Sequence, residues 1–175
     1  AASTQDMYTQ AEKGASRAGG LAIAVPGESP GLIELHRRFG SLSLAKLARP
    51  AQKLAQKGFR VTAHLHKAFS KLGEREEAFL STFIGAEARP AIGSHLRRPR
   101  LAKALKDWAR TGGAAMTTGW VAKDIVRSAN AAGGILSLED MSANQPRVRD
   151  AVTGTYRGWS VISMPPPSSG GIVLM

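Results

Sequence analysis

The chain has no cysteine, which excludes disulfides, thiolate metal sites and a cysteine nucleophile. No stretch approaches the roughly 20 apolar residues of a membrane-spanning helix. The first residues also lack the basic-then-apolar pattern of a secretory signal. Aromatic residues make up only 6%, so there is little to stack on nucleic-acid bases. Acidic residues are scarce too: 13 Asp and Glu face 24 Lys and Arg, a net charge of +11. The imbalance is central. From Arg37 to Arg110 there are 17 basic residues against 5 acidic ones, and the flanks nearly cancel. Such a region can hold nucleic acid or an acidic surface. With no nucleic-acid motif present, the expectation is the plainer one, solvated Lys and Arg on the polar faces of helices. A stand-alone basic helical module binding nucleic acid is the alternative from another class.

What is present suits a globular α+β chain. The hydrophobic fraction is 43%, and 19 glycines with 9 prolines predict many short elements joined by turns. Gly19-Gly20 followed by Leu21 to Val25 reads as a short buried strand, ending in a turn at Pro26-Gly27. Ser29 is the expected cap of a helix with Pro30 at its first position, Leu32, Leu35 and Phe39 on its buried face, and Gly40 as its stop. From Ser43 the apolar spacing is helical, but Pro50 predicts two short helices, the second closed by Gly58. Thr62 caps a further helix that buries Leu65, Phe69 and Leu72. Between Gly73 and Pro99 the pattern weakens into loop, with Phe79, Leu80, Phe83 and Ile84 covered. Two more amphipathic helices follow, one through Leu101, Leu105 and Trp108 and ending at Gly112-Gly113. The other runs through Val121, Ile125 and Ala129 and ends at Gly133-Gly134. Ser137 and Asp140 have capping-box spacing for a short helix.

The last section turns to β-favouring residues, Val148, Val152, Tyr156, Trp159, Val161 and Ile162, broken by a tight turn at Arg157-Gly158. The organisation expected is a helical lobe over about 28–143 and a hairpin with a helix start over about 146–175. Met164-Pro165-Pro166-Pro167-Ser168-Ser169-Gly170-Gly171 then forms a rigid connector, because three prolines fix φ and remove three backbone donors. It leads into Ile172-Val173-Leu174-Met175, read as the start of a buried helix. A domain seldom stops on the first turn of an apolar helix, so the chain is expected to be a piece of a larger protein.

Few residues offer chemistry. His64 and His66 are two apart and face different sides of a helix, so they cannot chelate one ion together. His36 sits among arginines and His95 in a basic loop; no metal or cofactor is expected. Glu74, Glu76 and Glu77 read as a solvated patch, while Glu139 and Asp140 suit a helix N-terminus. Neither glycine pair has the strand and Lys-Ser/Thr context of a phosphate loop. Ser168, Ser169 and Gly170 are the sharpest candidates. A hydroxyl at a helix start is usually its cap, and next to a substrate pocket it can also donate to an anion. A direct catalytic role for either serine is disfavoured, because no partner base is evident and the nucleophile-elbow pattern is absent.

Met164 to Gly171 resembles the proline-serine-glycine segment in the large subunit of γ-glutamyltransferases, also called γ-glutamyltranspeptidases or glutathione hydrolases. The resemblance extends to Val25-Pro26-Gly27 with Gly31, Phe39-Gly40, Pro50-Ala51, Leu54-Ala55 and Gly58-Phe59. Leu101-Ala102 with Leu105, Gly133-Gly134 and Tyr156-Arg157-Gly158 follow in the family's order. Departures are Met116-Thr117-Thr118-Gly119, where the family has an aromatic pair before glycine, and Gly93-Ser94, where it often has Gly-Asp.

The resemblance implies part of an N-terminal-nucleophile (Ntn) hydrolase fold, an αββα sandwich built by two subunits cut autocatalytically from one precursor. It implies a threonine nucleophile at the start of the small subunit, whose own α-amino group serves as base. The γ-glutamyl group of glutathione or a related compound would pass through an acyl-threonine to water, an amino acid or a peptide. Backbone amides would hold the oxyanion. By that pattern the threonine lies downstream of Met175, and the arginine for the substrate α-carboxylate lies before Ala1. The chain then holds no catalytic residue and is inactive alone. A periplasmic or extracellular location also follows only from the resemblance. A related Ntn acylase acting on a β-lactam side chain or a polyglutamate is the nearest alternative.

Overall fold

The computed structural model describes residues 3–73, 79–85 and 88–174, apart from the side chains of residues 82 and 83. The expectations for Glu74, Glu76, Glu77 and the Phe83 side chain lie outside the described residues. Two compact units divide the chain, Ala1–Asn144 and Gln145–Met175.

The first unit opens with turns in which Tyr8 Oη donates to the Leu21 carbonyl at 2.8 Å. Leu21 lies in a 3-10 turn, Gly20–Ala22, where a strand was expected. The reason is the close approach of Gly20 to Gly134: a Cβ on Gly20 would stand 2.2 Å from the Gly134 nitrogen. The Gly20 N–H donates to the Ala132 carbonyl at 2.8 Å, so this backbone is tied to a helix end and makes no sheet ladder.

Helix α1 (Glu28–Phe39) starts after Gly27, two residues earlier than the Ser29 cap predicts, and stops at Gly40 as expected. Ser29 is therefore inside the helix and buried. Leu32, Leu35 and Phe39 are exposed, contrary to the expected buried face. The contacts of Ser29 and Ile33 decide the rotation of α1: a Cβ on Gly113 would stand 2.8 Å from Ile33 Cγ1, so Ile33 points at that backbone. The leucine stripe falls on the neighbouring face.

Helix α2 (Leu44–Lys57) is one continuous helix with Pro50 inside it, where two helices were predicted. Proline removes the N–H that would bond the Lys46 carbonyl. Ala48 and Ala55 are buried against the neighbouring helix, and that packing outweighs the missing bond. Gly58 closes α2, and β1 (Phe59–Arg60) follows. Thr62 caps α3 (Ala63–Ser70), its hydroxyl accepting from the Leu65 N–H at 3.1 Å. The weakly patterned region is more ordered than the expected loop: Leu80–Ile84 forms a π-helical turn, and β2 (His95–Leu96) pairs antiparallel with β1. Val61, Phe69, Leu80 and Leu96 form one small core, with Leu65, Leu72, Phe79 and Ile84 around it.

Helix α4 (Pro99–Arg110) begins with proline in its first turn and packs along α2. The short α5 (Ala114–Thr117) leads to α6 (Trp120–Ala131). Gly134 N–H closes the end of α6 on the Ala129 carbonyl at 2.8 Å. Helix α7 (Leu138–Ala143) has the predicted capping box between Ser137 and Asp140. A second core joins Ala122, Ala129, Leu136 and Met141, with Val25, Ile125 and Val126 against it. The alanines let helix backbones approach closely, so this core is compact but contains little apolar volume.

In the second unit the β-favouring residues form the expected hairpin. Strands β3 (Val152–Tyr156) and β4 (Trp159–Ser163) pair in register from Val152↔Ser163 to Tyr156↔Trp159. Arg157 and Gly158 both have positive φ, 48° and 83°, as a type I′ turn requires. Val148 lies before the ladder and is exposed. Helix α8 (Gly170–Leu174) then packs on β4. Only its Gly171 is buried; Ile172 and Val173 are 60% and 80% exposed, so the expected buried helix is an exposed one. The reason is that no other element of this unit lies over its apolar side among the described residues.

Candidate functional site

The candidate segment turns back on itself between β4 and α8. Ser168 N–H donates to the Pro165 carbonyl at 3.2 Å, closing the proline run into a turn. Ser169 offers its carbonyl to the Val173 N–H at 3.0 Å, which places it at the start of α8. A Cβ on Gly171 would lie 2.4 Å from the Met164 carbonyl oxygen, so a side chain there would force the two arms of the turn apart. Arg149 Nη1 donates to the Pro166 carbonyl at 2.9 Å and fastens the middle of the run. Sequence reading missed this arginine; its signal is weak, since a cation in a loop has many possible acceptors.

The turn presents Ser168, Ser169 and Gly170 together, all three exposed. Among the described residues neither serine hydroxyl has a hydrogen-bond partner, so neither has the adjacent base that would activate it as a nucleophile. What the arrangement offers is two hydroxyl donors beside the first, still unbonded N–H groups of a helix, a combination that suits an anionic or carbonyl oxygen.

The histidines do not assemble. His36 Nε2 lies 2.7 Å from the Leu42 carbonyl, and His66 Nδ1 2.9 Å from that of Pro90. His95 is in β2, paired with Arg60. Among the described residues no three His, Cys, Asp or Glu side chains could hold a metal ion.

In the first unit the charged groups form a network that periodicity did not reveal. Asp107 of α4 accepts from Lys103 Nζ at 2.8 Å and from Trp120 Nε1 at 3.0 Å. These bonds, first Lys103 and then Trp120, with Arg110 adding to them, bring its carboxyl down to a pKa of about 2. Asp124 of α6 is bonded by Arg100 and by Arg127, and the Arg100 bond is the main cause of its lowered pKa. Lys103 and Arg100 also lie over the Trp120 ring, at 4.3 and 5.9 Å from its centroid. Beside this network a cleft of about 620 Å³ is lined by Leu101, Val121 and Ile125 together with Arg97 and Arg98.

Among the described residues no helix is long and apolar enough to cross a membrane. The family model for gamma-glutamyltranspeptidase matches residues 1–175. The chain belongs to the gamma-glutamyltranspeptidase family. Glutathione hydrolase 3 of Arabidopsis thaliana is 34% identical over 174 residues, a match covering 98% of this chain and 27% of that protein. The gamma-glutamyltranspeptidase of Helicobacter pylori aligns with a TM-score of 0.88 at 28% identity, over 98% of this chain and 52% of the solved one. The enzyme from Pseudomonas nitroreducens, solved in complex with L-DON, gives 0.85 at 29% identity, over 99% and 52%. The mixed helix-and-strand fold is thus that of the family's solved Ntn-hydrolase structures. This chain spans about a quarter of the curated relative's length and about half of each solved chain.

Proposed function

We propose that this chain is part of an enzyme that transfers or hydrolyses the γ-glutamyl group of glutathione and related γ-glutamyl compounds. The observation that carries the reading is the match of the gamma-glutamyltranspeptidase family model to all 175 residues. In the reaction we infer, a threonine Oγ attacks the γ-carbonyl carbon, and the C–N bond to the donor's amine breaks. The amine leaves with a proton, and water or an acceptor amine then releases the acyl group from the threonine. The nucleophile and the small subunit that bears it lie outside this chain, as does the arginine for the substrate α-carboxylate. The free hydroxyls of Ser168 and Ser169 support this division, since among the described residues neither has a base beside it. Their place is near the pocket, where with Gly170 they contact substrate oxygen or shape the pocket floor. A periplasmic or extracellular location belongs to the same reading.

The test is turnover of a γ-glutamyl anilide by the intact protein and by the 175-residue chain alone. Turnover by the intact protein and none by the chain is the expected result; turnover by the chain alone overturns the assignment of the nucleophile. In the intact protein, Ser168→Ala with Ser169→Ala is expected to lower kcat/KM by about tenfold to a hundredfold, the weight of one or two hydrogen bonds to substrate. An unchanged kcat/KM removes both serines from the pocket.

A further inference from the structure

Helix α2 carries Lys46, Arg49, Lys53 and Lys57 and no Asp or Glu. Spaced i, i+3, i+7 and i+11, they fall on one stripe, roughly 16 Å long at about 1.5 Å per residue. All four are exposed. Helix α4, packed along α2, repeats the pattern at i, i+3 and i+7 with Lys103, Lys106 and Arg110, again exposed. Between the two rows lies a shallow groove of about 230 Å³, lined by Gln52 and Gln56 from α2 and by Lys103 and Lys106 from α4.

This surface is short of anions among the described residues. Among the described residues the α2 cations and Lys106 make no ion pair, and the only carboxylate on either helix is Asp107. Elsewhere in the unit Glu34 is held by Arg37 and Arg38, and Asp124 by Arg100 and Arg127. Unpaired Lys and Arg are almost never buried. Whatever else the protein contains, these rows therefore look onto solvent or onto an anion.

We propose that the α2–α4 face is a docking surface for an acidic polypeptide segment, its carboxylates lying along the two cation rows with the Gln52 and Gln56 amides between them. A carboxylate partner is favoured over nucleic acid for three reasons. No aromatic side chain stands in the rows to stack on a base. Five of the seven cations are lysines, point charges without the two-pronged fork that arginine brings to phosphate. The anion this face already grips is a carboxylate, Asp107, at 2.8 Å from Lys103 and 3.4 Å from Arg110.

The experiment is fluorescence anisotropy on the intact protein with labelled poly-L-glutamate of about 20 residues and with a duplex DNA of matched charge, at about 50 and about 300 mM salt, where screening differs strongly. Two variants each remove two positive charges: Lys53→Gln with Lys106→Gln on the face, and Arg37→Gln with Arg38→Gln away from it. All four side chains are exposed, and circular dichroism checks that both variants stay folded. Polyglutamate is expected to bind at low salt and weaken at high salt, with the first variant losing about tenfold in affinity and the second at most about twofold. Equal losses in both variants overturn the proposal, because binding then follows net charge and not this face. Tighter binding of the duplex overturns it in favour of nucleic acid, and no binding at low salt leaves the rows simply solvated.

Discussion

Trp108 Nε1 donates a hydrogen bond to Ser29 Oγ at 2.7 Å, across 79 residues of sequence. Ser29 is buried and Trp108 half-buried, so this bond joins α4 to α1 at a site where water has limited access to either partner. It also explains why Ser29 is not a cap: its hydroxyl is committed to a tertiary contact.

Replacing Ser29 with Ala leaves the indole N–H facing an apolar methyl. The expected loss of stability is about 1–3 kcal/mol, the penalty for an unsatisfied buried donor. Trp108→Phe removes the donor as well as part of the ring, and adding Ser29→Ala to it is expected to add less than it does alone. Urea unfolding of the four proteins in this cycle measures the coupling; additive effects would show that the bond contributes nothing.

Gly20→Ala places a methyl group 2.2 Å from the Gly134 nitrogen, and backbone cannot yield as a flexible side chain does. We expect a loss of about 2 kcal/mol or more, the scale of overpacking a rigid site. Gly31→Ala is the internal contrast. It sits in α1 with nothing within 4 Å of the added carbon, so the higher helix propensity of alanine should stabilise by about 0.5–1 kcal/mol. Thermal melts of both variants with the same sign of shift would refute the close-approach argument.

Asp107 has its carboxyl lowered from 3.8 to about 2 by Lys103, Trp120 and Arg110. A depressed folded-state pKa means that its stabilisation is fully present above the unfolded value and is lost as pH falls through the folded one. The window is therefore about pH 4 down to about 2. Asp107→Asn should flatten the stability profile across that window and alter it little at pH 7 relative to its own baseline. Parallel profiles for the two proteins between pH 5 and 2, read from urea midpoints, would sink the assignment.

Arg157 holds a φ of 48°, a region that costs most residues about 1 kcal/mol and suits Asn or Gly. Part of that cost is offset by its guanidinium lying 5.2 Å from the Tyr156 ring centroid. Arg157→Asn creates the Asn-Gly pair preferred in type I′ turns and should stabilise the hairpin by about 0.5 kcal/mol. Slower amide exchange across the Tyr156–Trp159 end is the readout, and faster exchange would mean that the cation–π contact outweighs the backbone gain.

Where a residue acts on its own neighbours, sequence alone decided the outcome. The caps at Thr62 and Ser137, the stops at Gly40 and Gly58, the type I′ turn at Arg157-Gly158 and the proline connector all use groups a few residues apart. The ordered motifs from Val25-Pro26-Gly27 to Met164–Gly171 were likewise enough to point to the family. Tertiary structure decided which faces are buried. A helical stripe of leucines defines a direction but not the rotation of the helix. In α1 that rotation follows Ser29 on Trp108 and Ile33 on Gly113, leaving Leu32, Leu35 and Phe39 outside. The same holds for Gly20 against Gly134, for Pro50 kept inside α2, for Arg149 on Pro166 and for the two cation rows side by side. Each depends on contacts between residues distant in the chain, whose strength comes from a fit that no local pattern encodes.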